Sequence, residues 1–143
     1  MGSSMVEFAL VVPLFFLLIF GIIDFGRLFF NQMTLQHAMR EAGRFGVTGR
    51  QLDNPAGGQF SRVESIKTKA RNAASGLDIT SIRVTSSSTG TNESAGAPGD
   101  TMTVAITSQL HLITPLIGRY FGPQGIYTFT ASTTFRNERF PTN

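Results

Sequence analysis

The sequence predicts an α+β fold, in which a long N-terminal helix and a second helix pack on a small antiparallel sheet of three or four strands. Two observations predict this fold. Residues 1–30 are almost uniformly apolar and are followed by apolar residues at helical spacing. The C-terminal part instead alternates between apolar and polar residues, as strands covered on one face do.

The apolar N-terminal segment is long enough to cross a membrane. No charged residue lies between Phe8 and Ile23. A helix from Met5 to Phe30 would be about 39 Å long at about 1.5 Å per residue, and a bilayer's hydrocarbon core is about 30 Å thick. Because its apolar residues surround the helix, it belongs in lipid or among the helices of other chains. A buried helix of a soluble domain and a cleaved secretory signal are the alternatives, although signals have shorter apolar runs.

The same helix is predicted to continue beyond the apolar segment. An apolar stripe at helical spacing follows Asn31 and consists of Leu35, Ala38, Met39, Ala42 and Phe45. We therefore predict one helix from about Ser4 to Val47, ended by Gly46 or Gly49. The expected organisation is a membrane or filament-core helix at 1–30 and a soluble α+β domain at 31–143.

A second helix is predicted after a glycine-rich loop at 51–59. Ser61 and Glu64 have the spacing of a capping box. The buried stripe of this helix is predicted to be Val63, Ile66, Ala70, Ala73 and Leu77. Gly76 would end the helix, and its solvated side would carry Lys67, Lys69 and Arg71.

Three strands are predicted from period-two alternation. Their apolar positions are Ile82 and Val84 in the first, Met102, Val104, Ile106 and Leu110 in the second, and Tyr127, Phe129, Ala131 and Phe135 in the third. The polar segment from Ser86 to Asp100 is predicted to be a long flexible loop. A short helix from Leu116 to Phe121 is predicted after Pro115.

The composition argues against catalysis and against cofactor, metal or nucleic-acid binding. The chain has no cysteine, and its basic residues are scattered rather than clustered into a patch. His37 and His111 have no second ligand at metal spacing. The glycines between Gly90 and Gly99 lack the Gly-Lys-Ser/Thr ending of a phosphate-binding loop. We therefore expect a protein that is not an enzyme and has no cofactor.

Four residues interrupt the apolar character of the N-terminal helix. Glu7 precedes the uncharged run, and Pro13 removes one backbone donor, which favours a kink. Asp24 and Arg27 are three residues apart, close enough to pair on one helix face. They could mark the point where the helix leaves the hydrocarbon, or they could contact a neighbouring subunit.

These residues carry a resemblance to a known family. The run from Val6 to Pro13 and the run from Gly21 to Arg27 resemble TadE-like pilins of tight-adherence (Tad) systems, which belong to the type IV pilin superfamily. The runs Arg40–Gly49 and Phe135–Pro141 are also similar to motifs of that family. The resemblance implies a processing site at Gly2 and Ser3. It also implies assembly roles for Glu7, Phe8, Pro13, Asp24 and Arg27.

The resemblance implies a structural subunit that is anchored in the bacterial inner membrane and then assembled through residues 3–30 into an extracellular helical filament. The implied partners are further copies of the chain, an assembly ATPase, platform proteins, a prepilin peptidase and an outer-membrane secretin. A permanently anchored minor pseudopilin, which primes or caps the pilus without forming the filament, is the alternative.

The charges near the helix and the family resemblance imply opposite orientations. The arginines nearest the helix follow it, and on charge alone they would place its C-terminal side in the cytoplasm. The resemblance implies that this side faces outward. The two would agree if a basic leader ahead of Gly2 were missing from this sequence, or if its start had been placed too late.

Overall fold

The computed structural model describes residues 2–90, 92–114, 120 and 123–140. In chain order the elements are α1 (Gly2–Val47), α2 (Arg62–Ala73), β1 (Asp78–Ser86), β2 (Thr101–His111) and β3 (Ile126–Arg136), with a short 3-10 turn at Pro123–Gly125. The strands form one antiparallel sheet in the order β1-β2-β3. The predicted α+β fold is confirmed, with three strands.

The register of the sheet places like residues opposite each other. Ile82 and Val84 of β1 pair with Ile106 and Val104 of β2. On the outer face, two threonine pairs join β2 to β3 through their hydroxyls, Thr103–Thr134 at 3.0 Å and Thr107–Thr130 at 2.9 Å. Such cross-strand pairs stabilise a sheet by about 0.2–1 kcal/mol each.

The chain divides into two compact units. One consists of Met1–Asn31 with Leu110–Tyr127, and the other of Gln32–Gln109 with Thr128–Asn143. The second unit contains the main hydrophobic core, which includes Leu35, Ala38, Met39, Ala42, Ile66, Ala70, Ile82, Val84, Met102, Val104 and Ile106. The predicted stripes of both helices and the predicted inner faces of β1 and β2 are therefore confirmed. Phe129, Ala131 and Phe135 of β3 pack against this core, as predicted.

The end of α1 follows the predicted glycine signal. Gly49 has φ of +70° and its N–H bonds to the carbonyl of Gly46 at 3.2 Å. A left-handed residue just after a helix is strained unless it is glycine. The helix is continuous through Pro13.

The second helix differs from the prediction at both ends. The hydroxyl of Ser61 accepts a hydrogen bond from the N–H of Glu64 at 3.2 Å, which is one half of the predicted capping box. The carboxylate of Glu64 lies 3.4 Å from Lys67. The helix ends at Ala73, so Leu77 lies beyond it and reaches the core from the turn before β1.

The predicted solvated side of α2 is wrong for Lys67, while Lys69 is half-buried. The side chain of Lys67 is only 12% exposed, and its Nζ lies 2.8 Å from the carboxylate of Glu93, which raises the pKa of Lys67. The Nζ of Lys69 lies 5.5 Å from the ring centre of Phe45. Arg71 is exposed. Long basic side chains bury their stems when a charge or ring partner is in reach, and helical spacing does not reveal such partners.

The connection between β1 and β2 is folded rather than a flexible loop, apart from Thr91, which lies outside the described residues. The N–H of Ser94 donates to the carbonyl of Val84 at 3.0 Å, and Ala95 is buried. The amide of Asn137 donates to the carbonyls of Ala95 and Ala97 at 2.8 and 2.9 Å. The predicted short helix at 116–121 lies outside the described residues except for Tyr120.

The two faces of the sheet should differ in their tolerance of charge. Val104→Asp would bury an unpaired carboxylate on the core face, so we expect it to lower the free energy of unfolding by about 3 kcal/mol or more. Thr128→Asp, on the exposed face of β3, should change it by less than about 0.5 kcal/mol. Thermal unfolding of the detergent-solubilised protein, followed by circular dichroism, measures both. Equal damage from the two variants would contradict the observed register.

Candidate assembly surface and the Asp24 clamp

The first part of α1 presents a large apolar surface. Its exposed large side chains are Met5, Val6, Phe8, Leu10, Val11, Leu14, Phe15, Phe16, Leu18, Phe20, Ile22, Ile23, Phe25, Phe29 and Phe30. Among the described residues, one helix is long and apolar enough to cross a membrane, judged by length and composition. Contiguous apolar surfaces of this size mark membrane or protein contacts. We call these fifteen residues the assembly surface.

The predicted assembly residues form two separate groups. Glu7, Phe8 and Pro13 are exposed near the start of α1, just after the predicted processing site at Gly2 and Ser3. Asp24 is buried instead, at 4% exposure. Along a helix, Glu7 and Asp24 are about 26 Å apart. One contact therefore cannot involve both groups.

Asp24 binds a segment that follows β2. Its carboxylate accepts hydrogen bonds from the backbone N–H of Ile113 at 2.9 Å and of Thr114 at 2.8 Å, and from the Thr114 hydroxyl at 2.7 Å. Arg27 lies 3.4 Å from the same carboxylate and donates to the carbonyl of His111 at 2.9 Å. We call this set of contacts the Asp24 clamp.

The clamp satisfies a group that would otherwise be costly. An ionised carboxylate buried without donors destabilises a protein by about 3–5 kcal/mol. Hydrogen bonds to an ionised acceptor are stronger than neutral ones, and three donors here converge on one side chain. Asp24 and Arg27 therefore have partners inside their own chain. Whether they also contact a neighbouring subunit stays a prediction.

The sequence contained no signal for the clamp partners. An acid in an apolar run needs hydrogen-bond donors, but two of the three donors are backbone N–H groups. The third is a threonine ninety positions away. Any residue type supplies a backbone N–H, so residue identity could not have identified this segment.

The end of α1 packs against residues 135–140. A Cβ added at Gly43 of α1 would collide with the ring of Phe135. A Cβ at Gly49 would lie 2.6 Å from the ring of Phe140. The N–H of Glu138 donates to the carbonyl of Val47 at 3.0 Å. The glycines near the end of α1 thus make room for the aromatic residues at the end of the chain.

Arg62 contacts the end of α1, the β1–β2 connection and the C-terminal segment. Its guanidinium donates to the carbonyl of Gly46 at 2.8 Å and to that of Gly96 at 2.5 Å. It also lies 4.5 Å from the ring centre of Phe140, a cation–π contact. Arg62 therefore joins the end of α1 to the β1–β2 connection and to the C-terminal segment.

The described residues offer little for catalysis. In that part of the chain, no three His, Cys, Asp or Glu side chains are close enough to hold a metal ion. His37 and His111 are both exposed. An open groove is lined by Gln36, Met39, Arg40, Ala131, Ser132 and Thr133. The expectations that the chain is not an enzyme and binds no cofactor remain predictions.

The contact between Gly43 and Phe135 can be tested with one methyl group. Gly43→Ala must displace a packed ring, so we expect it to lower the free energy of unfolding by about 1–3 kcal/mol. Gly26→Ala is the matched control in the same helix, since nothing lies within 4 Å of its added Cβ. It should not destabilise, because alanine favours the helix by about 1 kcal/mol. Thermal unfolding in detergent measures the stability of both variants. A loss of stability in Gly26→Ala but not in Gly43→Ala would contradict the packing described.

Comparison with known proteins identifies the N-terminal part of the chain. The family model described as TadE-like protein matches residues 2–44. No curated protein and no solved structure shows a significant match. The family is a structural one associated with pili, and together with the apolar helix the match fits a membrane-anchored protein associated with a Tad pilus. The resemblance predicted from the motifs is therefore confirmed over residues 2–44, where the chain is similar to the TadE-like family.

Proposed function

We propose that this protein is a structural pilin-like subunit, which is anchored in the inner membrane and then assembles through residues 3–30 into an extracellular Tad-type pilus. The observation that carries the proposal is the assembly surface, which is apolar on all sides and lies outside the core. In a bilayer such a helix contacts acyl chains. In a filament it would contact the same helix of neighbouring copies.

Replacing lipid by identical helices around the apolar segment is energetically feasible. Lipid tails are about as apolar as leucine side chains, so moving the helix from lipid into a bundle of identical helices has little hydrophobic cost. Association then depends on close packing and on polar contacts between helices. Glu7 is an exposed ionisable residue at the start of the assembly surface and can supply such a contact.

Glu7 has a specific proposed partner. Cleavage after Gly2 would create an α-amine on Ser3, four residues before Glu7. By the family resemblance, that amine belongs to a neighbouring subunit in the filament. A pair between a carboxylate and an ammonium group removes the cost of burying either charge alone. In this proposal Phe8 and Pro13 shape the adjoining helix contacts.

The proposed partners follow from the same resemblance. They are an assembly ATPase, platform proteins, a prepilin peptidase and an outer-membrane secretin, in addition to further copies of this chain. The subunit would reside in the inner membrane before assembly and outside the cell afterwards. Its role is structural, without a cofactor.

A permanently anchored minor pseudopilin is the second candidate. The Asp24 clamp favours it, because two residues expected at subunit contacts, Asp24 and Arg27, already have partners in their own chain. Electron microscopy of sheared cell material, labelled with an antibody to this chain, distinguishes a filament subunit from a pseudopilin. Labelling along filaments supports the subunit. Protein recovered only from detergent-solubilised membranes supports the pseudopilin.

The role of Glu7 gives a sharper test. Glu7→Gln should leave membrane insertion intact, because the helix becomes less polar, but it should lower the yield of sheared filament by about tenfold, equivalent to the loss of about 1.4 kcal/mol per contact. Glu7→Asp, which is shorter by one methylene, should be partly defective. The measurement compares membrane and sheared fractions by immunoblot.

Glu41→Gln is the matched control for Glu7→Gln. Glu41 is exposed on the part of α1 that follows the apolar segment, and we expect its variant to assemble normally. Intact mass of the sheared protein should correspond to a chain that begins at Ser3. A normal filament yield from Glu7→Gln, or filaments built from uncleaved protein, would argue against the proposed contact.

A further inference from the structure

The two edge strands of the sheet, β1 and β3, are protected unequally. The ladder of β1 shifts register between Ile79 and Ser81. The β1–β2 connection covers part of the outer edge of β1, since the N–H of Ser94 donates to the carbonyl of Val84 at 3.0 Å. Arg83 adds a charge within β1. Irregular ladders, charges and covering segments are means by which proteins keep edge strands from pairing with other chains.

β3 is a long edge strand with little protection of this kind. It has 11 residues, Ile126–Arg136, and contains no proline, lysine or acidic residue. Its one charge is that of Arg136, the last residue. The core-facing residues Ala131 and Thr133 are only half-buried, whereas Val104 of the central strand is completely buried. The inner face of β3 is therefore less well covered than that of β2.

The hydrogen bonds of the sheet determine which backbone groups of β3 point away from β2. The N–H of Asn137, just after β3, donates to the carbonyl of Asp100 at 2.8 Å, and the two threonine pairs described above keep the same register along β3. Within a strand, the backbone groups of successive residues point to opposite sides. Those of every second residue before Asn137 therefore face β2. The outward backbone groups belong to Thr128, Thr130, Ser132 and Thr134, and within the described part of the chain no other backbone group bonds to them on that side.

An open groove runs beside this edge, between α1 and β3. Its lining consists of Gln36, Met39, Arg40, Ala131, Ser132 and Thr133. The hydroxyl of Thr133 donates to the sulfur of Met39 at 3.7 Å, and Met39 itself is buried, so these two residues form the floor. Because side chains of a strand alternate between its faces, a strand added to β3 would place every second side chain over this groove.

We propose that the outer edge of β3 and this groove bind an extended, acidic segment of another protein, which adds a fourth strand to the sheet. The outward backbone groups of β3 supply the main-chain hydrogen bonds, and the groove selects the side chains, as in other cases of strand addition. The site involves none of the residues 3–30 that the proposed function uses for assembly.

The charges beside the groove favour an acidic occupant. Arg40 lines the groove and is exposed. Arg44, also exposed, lies one turn further along the same side of α1. The nearest acid in the sequence is Glu41, which points about 100° away from Arg40 around the helix. A carboxylate on the incoming strand would pair with these arginines, and such complementarity contributes mainly to the choice of partner.

A second copy of this chain fits the edge less well. In a two-fold pair the same surface faces itself, so joining two β3 edges would bring Arg40 and Arg44 of one copy toward those of the other. Joining β3 to β1 of another copy would meet the edge that Ser94 partly covers. A segment of different sequence avoids the repulsion between arginines and the covered edge.

Peptide binding tests the proposed site directly. The probe is a fluorescein-labelled peptide, Thr-Glu-Thr-Val-Thr-Glu-Thr, whose two glutamates lie on the same face as its valine. Fluorescence anisotropy measures its binding to the detergent-solubilised full-length protein. We expect saturable binding that is about fivefold weaker when lysine replaces both glutamates, as one exposed ion pair allows. The same peptide with an N-methylated backbone should not bind. Absence of binding, or equal affinity for the glutamate and lysine peptides, would overturn the proposal.

Two pairs of variants locate the binding on the protein. Ser132→Pro removes one outward N–H at an edge position, where proline is tolerated, and should weaken binding by about tenfold or more. Ser132→Ala keeps that N–H and should bind normally. Arg40→Glu should weaken binding of the glutamate peptide by about fivefold, whereas Arg83→Glu, the same charge change on β1, should not. Normal binding by both Ser132→Pro and Arg40→Glu would place the peptide elsewhere.

Hydrogen exchange tests the edge in the unaltered protein, so the conclusion does not depend on a folded proline variant. By NMR of the full-length protein in detergent, the amides of Thr130 and Ser132 should exchange about a hundredfold faster than those of Ala131 and Thr133, which bond to β2. The glutamate peptide should slow the two fast amides. Slow exchange of Thr130 and Ser132 without peptide would show that the chain covers its own edge. Protection that increases with protein concentration would assign the edge to a second copy, and either result overturns the proposal.

Discussion

The structure depends on one helix that meets two different environments. Phe29 and Phe30 are exposed, whereas Leu35, one turn and a half further along α1, is completely buried. Nothing in the backbone marks the change, since the helix is continuous. The change lies in the side chains: large apolar residues surround the first part, and the stretch that follows includes small residues such as Ala38, Ala42 and Gly43 on its packed side. Small residues allow the sheet and the ring of Phe135 to approach the helix backbone closely, as tight packing requires.

Asp24 links the apolar helix to Ile113 and Thr114. A carboxylate at this depth is tolerated because two backbone N–H groups and one hydroxyl from residues 113–114 converge on it. The dependence is mutual. The N–H groups of Ile113 and Thr114, which follow β2, need acceptors, and Asp24 supplies them. The acid therefore stabilises the segment that stabilises it, and the removal of either partner would leave unpaired polar groups in an apolar surrounding.

The sequence predicted those features that arise from periodicity, and it missed those that arise from contacts between distant residues. Val104 and Ile106 were assigned to the core face correctly, because alternation is a local property of a strand. The end of α1 shortly before Gly49 was one of two predicted positions, and it followed from the conformational freedom of glycine. By contrast, Lys67 was expected in solvent, and its burial depends on Glu93 in a segment that was expected to be flexible. The clamp was missed for a similar reason: Asp24 was recognised as unusual, but two of its three donors are backbone N–H groups, which any residue type supplies.

The two groups of polar residues on α1 would have different roles in the proposed transfer from membrane to filament. Asp24 and Arg27 keep their partners within the chain, so they need not be desolvated again when lipid is replaced by neighbouring helices. Glu7 lies about 26 Å away at the other end of the run, and in the proposal it pairs with the α-amine of another subunit in the filament. A charge that is satisfied internally contributes little to the choice of partner. A charge that requires the amine of another chain favours one register over all others. On this reasoning the clamp would keep its own charges paired within each subunit, and Glu7 would determine how subunits are aligned.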